Sequence, residues 1–281
     1  MLKNIFIIMI LCTVIVCGQE KSTSFGLQPR LGITYTNSSK ASGDNENLEW
    51  LFNLQSNFNY KGESFDFDAD LLIVYGQMVR AGLHPEKTQD AFTLNLMPSI
   101  KLCDNPGLRL FLQIKAETQL SEGTIDNQQT NFLDPLFLTN TLFLGQKNNL
   151  IETTPDQQLK LTYGIGYSFQ QIITNHFIVA GENSSNNNVE FINGPTAVFN
   201  IDFSKQITED LKTGVSLNSL FLIKKDFFQS TSNSRFTAQI VANFDYKFIS
   251  LQYINCLIYD KALSNRRQLD QSLVLGVKLD L

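Results

Sequence analysis

Hydrophobic and polar residues alternate along most of the chain after residue 26. In segment 65–75, apolar residues occupy every second position, and Asp66, Asp68 and Asp70 lie between them. A period of two places successive side chains on opposite faces of a β-strand. The pattern predicts twelve strands, at 27–36, 50–60, 65–75, 92–102, 108–120, 136–144, 159–169, 197–203, 211–223, 236–248, 251–259 and 273–281.

The predicted strands are long, and one face of most of them is apolar throughout. Globular strands usually have about 5 to 6 residues, whereas a tilted strand that crosses a membrane needs about 9 to 11. Soluble sandwiches also alternate, but their strands are shorter and their outer faces are polar. We therefore predict an all-β fold, an antiparallel transmembrane β-barrel of about twelve strands within a range of ten to fourteen.

The connections between the predicted strands support the same fold, because barrels of this class alternate short turns with longer loops. The exception is the connection 146–158, which is long where a short turn belongs. Either Pro155 marks an irregular end there, or residues 150–154 extend a strand. The short connections are 61–64, 103–107, 207–210 and 247–250, and the longer ones are 38–47, 78–88, 121–134, 174–194, 226–234 and 261–267.

Composition fits a chain that faces lipid on one side and water on the other. Hydrophobic residues make up 43% of the chain and charged residues 17%, with a mean hydropathy of −0.08. Such a chain is too polar for a bundle of membrane helices, and soluble domains carry more charge, about a quarter of their residues. The net charge of −5 offers no basic stripe for phosphates, which argues against a nucleic-acid binder.

The first residues form a targeting segment. Lys3 precedes the apolar stretch 5–17, and Val16 and Gly18 are small enough for a cleavage site. We predict a cleaved signal peptide at 1–18 and a single barrel domain at 19–281. An uncleaved anchor is a less favoured alternative, and a lipoprotein modified at Cys17 ranks second.

The predicted location is the outer membrane, where lipid and the barrel assembly machinery are the expected partners. The last strand alternates up to the final residue, which is typical of barrels inserted by that machinery. Oligomeric state stays open, and so does any pairing of Cys103 with Cys256.

Charged residues of both signs alternate with the apolar face and are predicted to point into the lumen. One interpretation, which we favour, is that they pair across the lumen and fill it together with Met97, Phe111 and Leu220. The other is that they line a narrow solute path. Alternate residues of one strand lie about 6 to 7 Å apart, too far for a closed metal site, so neither a metal nor another cofactor is predicted. The candidates are Asp66, Asp68, Asp70, Arg109, Lys115, Glu117, Lys160, Asp202, Asp245 and Lys247.

Catalytic residues are scarce, because the chain has only two histidines, His84 and His176, both in predicted loops. No serine lies close enough in sequence to suggest a nucleophile with its base, so we predict that the protein is not an enzyme. The predicted function is an outer-membrane barrel that passes small solutes. The alternatives are a non-conducting structural or surface-binding barrel and, least favoured, an envelope enzyme.

Four short motifs resemble a known family. They are Tyr75–Gly76, then Lys87–Thr88–x–Asp90, Phe132–Leu133–x–Pro135 and Leu138–Thr139. On these motifs, the stretches 65–120 and 131–145 resemble an uncharacterised outer-membrane β-barrel family of Gram-negative bacteria, a domain of unknown function. The resemblance implies a fold and a localisation, and it implies no reaction.

Overall fold

The computed structural model describes residues 22–40, 43–80, 84–103, 107–125, 128–154, 157–174, 189–223, 234–260 and 268–278. The predicted signal peptide, Cys17 and His176 lie outside these ranges. Fourteen strands are formed: β1 Ser22–Lys40, β2 Gly43–Lys61, β3 Phe65–Arg80, β4 Glu86–Lys101, β5 Leu108–Thr118, β6 Gly123–Ile125, β7 Gln128–Thr130, β8 Leu136–Thr154, β9 Gln157–Ile173, β10 Val189–Thr208, β11 Leu211–Ile223, β12 Ser234–Tyr246, β13 Ile249–Asp260 and β14 Gln268–Lys278.

Twelve of these strands form one closed antiparallel barrel, in the order β1-β14-β13-β12-β11-β10-β9-β8-β5-β4-β3-β2. The remaining two, β6 and β7, form a separate short hairpin between β5 and β8. The predicted all-β barrel and its strand number are therefore confirmed. No helix within the described ranges is both long and apolar enough to cross a bilayer.

The barrel closes where the first strand meets the last. Three residue pairs join β1 to β14, from Arg30–Lys278 to Gly32–Gly276. A Cβ at Gly276 would collide with the carbonyl oxygen of Leu31. Glycine therefore lets the two backbones approach closely at the seam.

The two ends of the barrel differ in their connections, and we name them accordingly. At the turn end, strands are joined by residues 62–64, 102–107, 155–156, 209–210 and 247–248. The opposite end, which carries the short connection 41–42 and the longer connections 81–85, 119–135, 174–188, 224–233 and 261–267, is the loop end.

Two predicted connections differ from the structure. The connection 146–158 is short, because β8 continues to Thr154 and pairs with β9 up to Gln157. Of the two alternatives for this connection, the one in which residues 150–154 extend a strand is thus confirmed. The connection 38–47 was predicted to be long, but β1 and β2 pair up to Lys40 and Gly43. A polar stretch can still form a ladder, because the ladder uses backbone hydrogen bonds.

Burial in this barrel is the reverse of that in a soluble protein. Ile165 on the outer surface is 74% exposed and Leu273 is 69% exposed, whereas Asn53 and Gln252 inside are fully buried. The packed interior lies within the lumen. Its buried residues form three clusters, namely Leu51, Leu72, Val74, Val241, Ile254 and Val274; Ile172, Ile192, Leu220 and Leu222; and Met97, Phe111, Phe143 and Val198.

Aromatic pairs lie toward both ends of the barrel. Trp50 and Tyr75 are in contact in the loop-end half, with ring centroids 5.6 Å apart. Tyr60 and Phe65 are in contact at the turn end, with centroids 6.2 Å apart. Tryptophan and tyrosine are enriched at such positions in proteins that cross a membrane.

Candidate functional site in the lumen

The lumen contains a cavity of about 420 Å³. It begins near the turn end, where Asn59 and Gln158 line it, and reaches Thr237 on β12. Neutral amide side chains cover much of its wall, so the surface offers both donors and acceptors of hydrogen bonds. The amide residues are Gln28, Gln55, Asn57, Asn59, Asn95, Gln113, Gln158, Asn200, Asn218, Gln239 and Asn243.

The cavity brings together most of the charged residues that alternation placed on the inward face. Asp66 and Arg109 lie beside it toward the turn end, and Glu117 lies beyond it toward the loop end. The members that line the cavity directly are Asp68, Asp70, Lys115, Lys160, Asp202 and Asp245.

Lys247 was predicted in the lumen but lies in the turn between β12 and β13. Its φ of 52° is left-handed, so the strand alternation ends before it. Its side chain is 51% exposed, with Nζ 3.5 Å from Asp210 of the neighbouring turn.

Two carboxylates of β3 are held by cations from β5 and β8, which lie two and three strands away in the barrel. Arg109 Nη2 lies 3.0 Å from Asp66, and Lys147 Nζ donates to Asp68 at 2.7 Å. Lys147 also lies 3.8 Å from Asp66. Sequence reasoning missed Lys147 because it assigned residue 147 to a connection, although the inward parity of β8 includes it.

A second polar network surrounds Arg30, which is 1% exposed. Its guanidinium donates to Ser250 at 2.9 Å, Gln55 at 2.8 Å and Gln28 at 2.9 Å. Asp245 lies 3.9 Å away and accepts a hydrogen bond from Ser250 at 2.6 Å. Arg30 therefore joins β1, β2, β12 and β13 on the lumen side of the barrel seam.

Three of the predicted lumen charges that line the cavity lie outside the ion pairs. Asp70 and Asp202 are exposed to the lumen, and Lys160 is half-buried. Asp70 accepts a long hydrogen bond from Asn95, at 3.5 Å. Among the described residues, none of the three forms an ion pair within 4 Å. These groups can therefore meet a solute without first breaking an ion pair.

An ion-pair network lies at the loop end of the cavity. Lys115 Nζ lies 2.8 Å from one oxygen of Glu117, and Arg235 Nη2 lies 3.4 Å from the other. Arg235 is 2% exposed, and its guanidinium carbon lies 5.3 Å from the centre of the Phe137 ring. Sequence reasoning missed Arg235 because the predicted strand began one residue later.

Part of the lumen is filled by an aromatic pair. Phe111 and Phe143 stack with centroids 4.6 Å apart and a 3° angle between their planes. Glycine on the inward face of β9 makes room for them, because a Cβ at Gly164 would lie 2.6 Å from Phe143 Cδ2.

The Lys87–Thr88–x–Asp90 motif anchors the chain at the loop end. The Asp90 carboxylate accepts hydrogen bonds from Lys87 Nζ at 2.8 Å, Leu120 N at 2.6 Å, Ser121 N at 3.0 Å and Ser121 Oγ at 2.8 Å. Its side chain is 3% exposed. The motif thus fixes the start of the long connection from β5 to β8.

Replacing Asp90 by Ala is expected to lower the free energy of unfolding by about 1.5 to 3 kcal/mol, because buried donors lose a charged acceptor. Urea unfolding in micelles measures the loss, and cleavage after residue 119 by added protease should speed up. Glu122→Ala is the control, because Glu122 is exposed in the same connection. Equal stability of the two variants would refute the anchoring role.

Other reactive groups are dispersed. Neither Cys103 nor Cys256 forms a disulfide, and Cys256 packs against an apolar cluster of the lumen. His84 is exposed. Within the described ranges, no group of three or more His, Cys, Asp or Glu side chains could hold a metal ion.

The sequence matches the family model described as "Protein of unknown function (DUF3078)" over residues 34–123. The resemblance to an uncharacterised family is confirmed there. The match includes the motifs at Tyr75–Gly76 and at Lys87, Thr88 and Asp90, and it ends before Phe132. No curated protein matches the chain.

Several solved structures share the barrel architecture at low identity. An outer membrane channel from Pseudomonas putida F1 is 10% identical, with a TM-score of 0.39, over 94% of this chain and 97% of that one. The translocator domain of the autotransporter NalP from Neisseria meningitidis is 10% identical, with a TM-score of 0.34, over 99% and 94%. OpdQ from Pseudomonas aeruginosa is 9% identical, with a TM-score of 0.26, over 94% and 99%. Because these scores are low, the fold assignment rests on the strand pairing of this chain itself.

Proposed function

We propose that the protein is an outer-membrane β-barrel whose lumen lets small polar solutes cross the membrane. The observation that carries the proposal is the reversed burial, with apolar side chains outside and a polar cavity inside. No enzymatic activity forms part of the proposal.

The outer surface supports a location in lipid. Large exposed apolar side chains occur around the barrel, including Phe25, Leu142, Phe199, Val215 and Leu275. A soluble monomer seldom exposes a continuous apolar patch of more than a few hundred Å². The closed ring of strands also satisfies backbone hydrogen bonds without water, as a lipid environment requires.

The lumen supports a path for solutes. A cavity of about 420 Å³ falls within the usual range for small-molecule sites, about 300 to 1,000 Å³. Amide groups can replace the hydration of a polar solute, and so can the charged groups that line the cavity outside the ion pairs, namely Asp70, Lys160, Asp202 and Lys212. The paired charges beside the cavity hold its wall in place.

A second candidate is a non-conducting barrel that serves as a scaffold. The three apolar clusters and the stacked pair Phe111–Phe143 favour it, because they occupy space inside the lumen. This candidate requires the same location in the membrane, so only a transport measurement separates it from the first.

The location is tested by fractionating the cells and running the unheated and heated membrane fraction on a gel. A folded barrel should migrate differently before and after heating. A protein recovered without membranes, or one that shows no shift, would contradict the proposal.

Conductance in planar bilayers tests the path, with adjacent residues of β11 as a matched pair. Both residues border the cavity, but alternation along β11 places the Ser216 side chain on the inward face, whereas the Val215 side chain is 42% exposed on the outer face. Ser216→Trp should lower single-channel conductance at least twofold, because the ring narrows the lumen, and Val215→Trp should leave it unchanged. If correctly folded wild-type protein shows no conductance, the result would favour the non-conducting scaffold instead.

A further inference from the structure

We propose that Lys115 and Arg235 form a binding site for a carboxylate group of the solute, and that Glu117 occupies this site while no solute is bound. The inference rests on the proposed function, since it names a solute class for the same lumen.

The ion-pair network of Lys115, Glu117 and Arg235 bounds the cavity at its loop end. Lys115 on β5 and Thr237 on β12 line the cavity. The next inward residues toward the loop end, Glu117 and Arg235, do not line it but contact each other. Between β5 and β12 lie four strands on one side and six on the other. The contact therefore reaches across the lumen.

Glu117 behaves as an internal ligand. Each of its two oxygens faces a different cation, Lys115 at 2.8 Å and Arg235 at 3.4 Å. An arginine and a lysine placed around one carboxylate make an anion site, because charge-assisted hydrogen bonds to carboxylates are strong. A carboxylate on a solute offers the same two oxygens and can take the place of Glu117.

Arg235 is also held by contacts other than the one with Glu117. The site should therefore persist when a solute carboxylate replaces the Glu117 carboxylate. Its guanidinium packs over Phe137, whose neighbours Ile172, Leu220 and Leu222 are buried. An arginine held in this way keeps its position when its anion partner changes. With Glu117 displaced, the two cations face the solute and the contact across the lumen is broken.

The test uses the full-length folded barrel and succinate as the probe. Calorimetric titration should show that Glu117→Gln binds succinate at least tenfold more tightly than the wild type, since the internal competitor is neutral. Arg235→Gln should bind more weakly than the wild type. Glu63→Gln is the control, because Glu63 is exposed in a turn-end connection, and its affinity should equal that of the wild type.

Reversal potentials in a gradient of potassium succinate add an independent readout. Glu117→Gln should raise the permeability of succinate relative to potassium at least threefold, and Arg235→Gln should lower it. Equal succinate affinity in the wild type, Glu117→Gln and Arg235→Gln would overturn the anion site. If Glu117→Gln fails to fold, unchanged affinity in Arg235→Gln overturns it alone. If the bilayers show no conductance but the succinate affinities are as expected, solute passage is refuted and the anion site is supported.

Discussion

Val215→Lys is expected to lower the free energy of unfolding by about 2 to 4 kcal/mol, because it places a charge on the lipid-facing surface near the middle of β11. The same change at the adjacent Ser216 should cost less than about 1 kcal/mol. There the ammonium group enters a polar cavity beside Asp202, the residue opposite Ser216 on β10. The contrast isolates the face of the strand, because the two adjacent positions lie at nearly the same depth along β11.

Urea unfolding in lipid vesicles measures both variants. Trp50 is the only tryptophan in the chain and lies beside Tyr75 in the barrel wall, so its fluorescence reports loss of the barrel. Equal destabilisation by Val215→Lys and Ser216→Lys would show that the two faces do not meet different environments.

Arg30→Ala is expected to destabilise the barrel by about 3 to 5 kcal/mol, because removing one partner leaves a buried charge uncompensated. Arg30 and the Asp245 side chain are 1% and 8% exposed, and the guanidinium also donates to Ser250, Gln55 and Gln28. Its loss should also loosen the seam, where three residue pairs join β1 to β14.

A double variant separates the charge from the packing. Arg30→Met with Asp245→Asn should recover part of the lost stability, because it removes both charges and keeps most of the volume. Urea unfolding compares the single and double variants, with Lys247→Ala as a control at an exposed ion pair, where little change is expected. If the double variant is no more stable than Arg30→Ala, the buried charge is not the source of the loss.

The alternation of the sequence predicted the strands well because the period of two is a local property. Segment 211–223 was predicted with the bounds that β11 has, and Pro155 did not prevent β8 from reaching Thr154. Strand ends were less certain. A polar stretch such as 37–40 extends β1 through backbone hydrogen bonds, which side-chain periodicity does not record.

The candidate site could be predicted only in part. Once the strand ends are known, the alternation of inward and outward residues places Lys147, Arg235 and Arg30 on the inward face. Lys147 and Arg235 were missed because the predicted strands were too short to include them. The partner of each charge could not be predicted, because it depends on how the barrel closes. Glu117 and Arg235 are 118 residues apart in sequence and meet across the lumen.

The most direct test of a lipid-facing exterior around a polar lumen uses spin labels at the two adjacent positions of β11. Val215→Cys and Ser216→Cys are made with Cys103 and Cys256 replaced by Ser, labelled, and reconstituted in bilayers. The label at 215 should collide mainly with oxygen, which dissolves in lipid, and the label at 216 mainly with a water-soluble nickel complex. Equal accessibility of the two labels to both reagents would contradict the account.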